Sequence, residues 1–368
     1  MIYLDSAATS LYKPLSVGRA MREAVYTLAS PGRGGHPPAM RAAELLLDCR
    51  EEAAALFHVP EPERVVFTMN ATHALNIAIR SCVPPGGRVV ISGFEHNAVT
   101  RPLHALGAQI RVAGRRLFEP GDTLRDFERL LPGADAAVCT QVSNVFGYCL
   151  PVAEIAALCR SAGVPLIVDA SQGAGALDVD FAGWGAAFAA MPGHKGLLGP
   201  QGTGLLLCRD GAEPLLYGGS GSDSRLPAMP EELPDRLEAG THNVCGIAGL
   251  LEGLRAVRAQ GPAAILRRET ALRERFAAAL TDSGLRLFTG EGQGGVLSVR
   301  SPALDSESFA RRLAARGVCA RGGLHCAPLA HESAGTLGCG TVRFSFSPFL
   351  QEEQIDRAAA TVREALRD

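Results

Sequence analysis

The feature that most limits how this chain can fold is an alternation running from about residue 15 to about residue 245. Short apolar runs at 65–67, 89–91, 136–138 and 166–168 are bounded by glycine, proline or charge. Between them lie segments of helical period, such as 153–162, where Ile155, Leu158 and Cys159 share a face. A strand apolar on both faces must be covered on both, and intervening helices supply the cover, so the pattern predicts a parallel or mostly parallel sheet. Leu11-Tyr12-Lys13-Pro14 reads as the entry to the first long helix. From about 246 the grammar changes. A helix over 247–260 is cut by Gly261-Pro262, and a second runs to about 283. A strand at 296–299, a helix over 307–316, a strand at 341–347 and a last helix over 351–366 follow. This predicts an α/β fold in two domains, a large one over 15–245 and a smaller α+β one from 1–14 with 246–368. A length of 368 residues is too great for one small core and fits that division. There is no internal repeat, and 218–224 is a Gly/Ser loop.

Hydrophobic residues at 47% and charged residues at 20% describe a globular chain rather than a disordered one. The net charge is −2 with no Lys/Arg block, so nucleic acid is not an expected partner. No apolar run approaches the roughly 20 residues that cross a bilayer. Met1-Ile2-Tyr3-Leu4-Asp5-Ser6 has neither the basic start nor the apolar stretch of a signal peptide, and a cytoplasmic protein is expected. Ten cysteines without a CxxC pair read mainly as small buried hydrophobes in a reducing compartment, Cys139, Cys159 and Cys208 among them.

Three segments point to chemistry. Gly193-His194-Lys195-Gly196 follows the apolar run 186–190, and its glycines would let an amine approach a ligand without backbone crowding. Lysine amines condense with carbonyls, and pyridoxal 5'-phosphate (PLP) is the commonest carbonyl cofactor. Taken alone, a lysine in a glycine loop is an ordinary solvated residue; no P-loop spacing is present. Val168-Asp169-Ala170-Ser171-Gln172 puts a carboxylate at a strand's end, where open α/β sheets bind ligands. Asp169 there could pair with a pyridinium nitrogen or simply cap a turn. Asn70-Ala71-Thr72-His73 opens a helix after a strand, as a phosphate cradle or a plain N-cap.

The order of these segments resembles the cysteine desulfurase and selenocysteine lyase family, within the class V aminotransferase-like PLP enzymes of fold type I. Tyr3-Leu4-Asp5-Ser6-Ala7-Ala8-Thr9 resembles that family's opening. Glu95-His96-Asn97 is similar to the segment whose histidine stacks on the PLP ring, and Ser143-Asn144 to the loop whose asparagine reaches cofactor and substrate. Gly240-Thr241-His242-Asn243 resembles the segment whose threonine contacts phosphate across a dimer interface. Arg321-Gly322-Gly323-Leu324-His325-Cys326-Ala327 is similar to the loop of the sulfur-accepting cysteine. Thr341-Val342-Arg343-Phe344-Ser345 resembles the strand whose arginine grips the substrate carboxylate. The departures are Asn70 where glycine is more frequent, His242 beside Thr241 where proline is frequent, and Leu324 where close relatives often carry a second histidine.

The resemblance implies a large PLP-binding domain with a mostly parallel seven-stranded sheet flanked by helices. It implies a homodimer holding PLP through Ala71, Thr72, His96, Asn144, Asp169, Gln172, His194, Lys195 and Thr241. Asn144, Arg321 and Arg343 would bind the substrate, L-cysteine or L-selenocysteine. Lys195 would act as base at Cα and His96 exchange a proton at the substrate sulfur. Cys326, ionised with help from Arg321 or His325, would take that sulfur as a persulfide. The loop of Cys326 is short, which favours an acceptor protein or small thiol entering the pocket. Rivals on the same fold are a selenocysteine lyase, a cysteine-sulfinate desulfinase, a transaminase or an epimerase. A zinc site at His325, Cys326, His331 and Cys339 lacks paired ligand spacing, so no metal is expected.

Overall fold

A computed structural model describes residues 1–31, 34–222 and 225–367, so the last two positions of the Gly/Ser loop 218–224 lie outside the described residues. After the short β1 (Ile2–Tyr3), seven strands form one sheet: β2 (Val65–Thr68), β3 (Arg88–Ser92), β4 (Gln109–Ala113), β5 (Ala136–Thr140), β6 (Leu166–Asp169), β7 (Phe188–Pro192) and β8 (Gly204–Cys208). Their spatial order is β2-β8-β7-β6-β5-β3-β4. All neighbours are parallel except β8, which runs against both β2 and β7. The four expected apolar runs fall on β2, β3, β5 and β6. Alternate residues of these strands serve opposite faces: Val90, Cys139 and Val168 enter one core, and Val89, Val138 and Ile167 the other. Both faces are thereby closed by helices, as a sheet of continuous apolar strands requires.

The remaining strands are β9 (Arg286–Phe288), β10 (Val296–Arg300), β11 (Val318–Cys319), β12 (Arg321–Gly323) and β13 (Thr341–Ser345). An antiparallel sheet of order β12-β13-β10-β9 forms here, and β1 pairs in parallel with β11. A third core gathers Ile2 and Leu4 with Phe276, Phe309, Phe344 and Ile355. The start of the chain is therefore packed with its last third. Helix Val244–Gln260 ends at Gly261, whose φ of +81° only glycine tolerates well, and helix Pro262–Ala279 begins at once. The first of these sends Ile247, Leu250, Leu254 and Val257 into the core of the large sheet. The second bridges outward, with Ile265 in that core and Leu272 and Phe276 in the small one.

Because β2, β3, β5, β6 and β7 all point the same way, their carboxyl ends share one edge of the sheet. The reversal from β7 to β8 through 193–203 lays the lysine loop along that edge. No described helix is long and apolar enough to cross a membrane.

Candidate active site

A cleft of about 630 Å³ opens at this edge. Ala71, Thr72, His96 and Asn144 line it from the ends of β2, β3 and β5. Asp169, Gln172, His194 and Lys195 line it from the ends of β6 and β7. Five separated segments thus meet in one place, and each local fold explains its contribution.

Helix Ala71–Cys82 starts at Asn70, whose side chain accepts from the His73 amide at 2.9 Å. The departure at Asn70 is thus a conventional N-cap, which leaves the first amides of the helix and the exposed Thr72 available to an anion. Asp169 closes β6 and is 3% exposed; one carboxylate oxygen accepts from the Ser171 amide at 2.9 Å. Gln172 donates to the Ala7 carbonyl at 2.9 Å, so its amide nitrogen holds the N-terminal segment. His194 is tethered likewise, with Nδ1 3.0 Å from the Thr9 hydroxyl.

Burial lowers the Lys195 amine to about 8; Asp169 opposes the fall, and Arg343 and Arg321 add to it. Burial also holds the His96 imidazole down at about 4, despite Asp169. Nδ1 of His96 accepts from the Ala98 amide at 3.0 Å, which puts the ring hydrogen of this neutral imidazole on Nε2. Beside it, Glu95 is fully buried and is pushed up to about 8 by that burial. Its Oε1 accepts from the Ser92 hydroxyl and the Thr140 amide, while Oε2 has no partner among the described residues.

Cys326 is the exposed member of ten free cysteines. Cys139, Cys159 and Cys208 are buried, and burial raises each thiol, Cys159 to about 12, which suits inert packing. His325 and Cys326 both have positive φ, +52° and +56°, an uncommon conformation outside glycine that costs on the order of 1 kcal/mol per residue. Three anchors hold the turn. Asn144 donates its side-chain amide to the His325 carbonyl at 2.9 Å. The Asn97 amide donates to the Cys326 carbonyl at 2.8 Å. The His325 ring is 4% exposed, with Nε2 3.1 Å from the Thr341 carbonyl. Burial takes that ring well below its ordinary pKa, so His325 is a neutral anchor. Of the two helpers that the sequence offered for Cys326, Arg321 or His325, this one therefore brings no positive charge. Helix Pro328–Ser333 follows directly and stiffens the exit.

Arg343, 1% exposed, stands opposite Arg321 in the β12–β13 register. Its guanidinium donates to the Asn144 carbonyl at 3.0 Å and to Asp5 at 2.7 Å, leaving Nε buried without a partner among the described residues. Asp5 is a functional neighbour that sequence reasoning missed. Its only signal was its place in the opening motif, 338 residues from its partner. Thr241 is not in this cleft. It is exposed and lines a separate cavity of about 730 Å³ with Met69, His73 and His242. The His325, Cys326, His331 and Cys339 set forms no metal cluster among the described residues; His331 Nδ1 is 2.7 Å from the Thr336 hydroxyl.

A lysine and a carboxylate at strand ends, beside the start of a helix, form the kind of cleft in which open α/β sheets bind ligands. The aminotransferase class-V profile matches residues 2–358. A probable cysteine desulfurase of Methanothermobacter thermautotrophicus is 32% identical, covering 99% of this chain and 94% of its own. The apo cysteine desulfurase of Thermococcus onnurineus superposes over 100% of this chain and 94% of its own, with a TM-score of 0.92 and 30% identity. The cysteine desulfurase CsdA of Escherichia coli, in an S-sulfonic acid form, gives a TM-score of 0.88 at 27% identity, over 100% of this chain and 94% of that one. The chain belongs to the class-V aminotransferase family, on its cysteine desulfurase branch.

Proposed function

We propose that this protein is a PLP-dependent cysteine desulfurase that converts L-cysteine to L-alanine and carries the sulfur on Cys326 as a persulfide. The observation that supports it most is the Cys326 turn, an exposed thiol on two strained residues tied to Asn97 and Asn144 at the rim of the Lys195 cleft. A merely structural cysteine has no need of such a turn. The donor set fits PLP: Lys195 for its carbonyl, Asp169 for its ring nitrogen, and the amides of Ala71 and Thr72 with the Thr72 hydroxyl for its phosphate. When bound, PLP supplies an electron sink adjoining the substrate Cα. His96, neutral in its site, would lie over the ring and offer its Nε2–H to the substrate sulfur. Lys195, with its lowered pKa, takes and returns the Cα proton near neutral pH. Arg343, helped by Arg321, receives the substrate carboxylate; Asn144 orients Arg343 through its carbonyl and the Cys326 turn through its side-chain amide.

The Cys326 thiolate forms an S–S bond with the substrate sulfur as the C–S bond breaks. Cysteine plus thiol then gives alanine plus persulfide, balanced without an external oxidant. A turn pinned in three places does not travel, so an acceptor protein or small thiol must come to it. We further propose a homodimer in which Thr241 of each copy completes the other's phosphate site. We also propose two domains, 15–245 and 1–14 with 246–368, a division supported by the separate core around β10 and β13.

The test uses the PLP-loaded protein with L-cysteine, following alanine and the mass of the Cys326 peptide. Wild type should form alanine and add one sulfur to that peptide. Cys326→Ala should bind PLP and cysteine yet lose alanine formation by at least about a hundredfold, as removal of a nucleophile does. Because selenide leaves more easily, that variant should keep much of any activity on L-selenocysteine. Alanine formation at the wild-type rate without Cys326 would make the protein a lyase or transaminase instead.

A further inference from the structure

The segment carrying Thr241 is anchored by a buried network that the desulfurase reading leaves unused. Glu238 is 6% exposed, and both its oxygens are fully engaged. Oε1 accepts from Arg50 at 2.8 Å and from the Phe67 amide at 2.6 Å. Oε2 accepts from Arg50 at 2.6 Å and from His242 Nε2 at 2.5 Å. Burial alone would raise this carboxyl, but Arg50 and His242 outweigh it and hold Glu238 below the usual carboxylate range. The Arg50 guanidinium also lies 4.2 Å over the Phe67 ring, and the His242 ring meets the same phenyl edge-on at 6.5 Å.

On either side of Thr241 the backbone is fixed. Gly240 donates to the Gly219 carbonyl at 2.8 Å and adopts a φ of +99°, while Asn243 caps helix Val244–Gln260 at the Gly246 amide, 3.0 Å away. Thr241 itself is exposed and makes no hydrogen bond among the described residues. His242 occupies the position where the family often has proline. A proline fixes the backbone by its ring; His242 fixes it by a side-chain bond to a buried charge. Glu238 also grips β2 at Phe67, three residues before the Asn70-Ala71-Thr72 cradle. One carboxylate therefore ties the arm of Thr241 to the strand that carries this copy's own phosphate cradle.

Resting on the dimeric reading above, we propose that His242 is a positioning residue that, through Glu238, sets the Thr241 hydroxyl for the cofactor phosphate of a second copy. The effect of His242 on cofactor binding must then pass through Thr241. The experiment measures PLP dissociation constants of the dimer by equilibrium dialysis for Thr241→Val, His242→Phe, His242→Gln and the Thr241→Val/His242→Phe pair. Dimer content is checked by sedimentation. His242→Phe keeps the contact with Phe67 and loses the bond to Glu238; it should weaken PLP binding on the order of tenfold, as loss of a hydrogen bond to a charged group does. His242→Gln, still able to donate to Glu238, should recover most of that loss. The double variant should bind no more weakly than Thr241→Val alone. If His242→Phe misfolds, His242→Asn, too short to reach Glu238, takes its place. Wild-type affinity in His242→Phe, or penalties that add in the double variant, would overturn the positioning role. Wild-type affinity in Thr241→Val would instead remove the dimeric phosphate reading on which it rests.

Discussion

Lys195 illustrates how a residue's surroundings set its use. An amine with a pKa of about 8 is roughly one-tenth neutral at pH 7, against fewer than about one in a thousand for an ordinary lysine. Only the neutral amine attacks a carbonyl. The sign is fixed: raising pH deprotonates Lys195, so capture of PLP by the apo-protein should accelerate about tenfold between pH 6 and 7 and level off above about 8. Stopped-flow absorbance would show this, and a rate still climbing tenfold per unit above pH 9 would mean that Lys195 is not the lowered amine. Lys195, Asp169 and Cys326 were easy to single out in the sequence, because each is a chemically distinctive residue within a recognisable motif, and the fold sets Lys195 and Asp169 in one cleft. Their partners were less so. Asp5 meets Arg343 across 338 positions, and no local pattern signals an ion pair made by folding. His325 was misread because a histidine beside a cysteine suggests charge, whereas its ring turns into the core and is neutral there.

Elements were legible where burial made them apolar. β2, β3, β5 and β6 are buried throughout or nearly so, and their runs of Val, Ile and Ala announce it. β4 is an edge strand with Gln109, Ile110 and Arg111 exposed, and β12 is Arg-Gly-Gly; neither carries a strand pattern, since pairing partners rather than propensity make them strands. The lysine loop was found for a reason that the packing amends. Its glycines serve contact with neighbouring protein: a Cβ on Gly196 would meet the Ala174 carbonyl at 2.3 Å, and one on Gly193 the Thr203 hydroxyl at 2.1 Å. Gly196→Ala must therefore push the loop off the 173–176 turn. The expected cost is about 1–3 kcal/mol in denaturant unfolding of the apo-protein, with displaced Lys195 and lower PLP content. Gly211→Ala, where a Cβ meets nothing within 4 Å, is the control and should fall within about 0.5 kcal/mol of wild type. Equal stability for both variants would show that the loop has slack which the packing denies.

At the scale of the whole molecule, the first ten residues join the two cores beside the cleft, as helix Pro262–Ala279 joins them elsewhere. Asp5 reaches Arg343, the Ala7 amide donates to Ser345, and the Ser10 amide donates to the His194 carbonyl, so Arg343 and the Lys195 loop are braced by one segment. Large apolar side chains are left in solvent: Leu15 at 87% and Tyr26 at 81% on the first helix, and Leu216 at 47% with Met69 at 56% on the cavity of Thr241. Single exposed hydrophobics are ordinary, but Met69 and Leu216 share the wall of the Thr241 cavity, and the second copy proposed to receive Thr241 would cover them. The protein should sediment as a dimer at micromolar concentration. Leu216→Glu, which places a charge among these apolar groups without touching the Lys195 cleft, should shift it toward monomer and weaken PLP retention in parallel. Far-UV circular dichroism would verify that the subunit remains folded. A folded monomer that retains PLP as tightly as wild type would show that each subunit completes its own phosphate site, and Thr241 would then need another explanation.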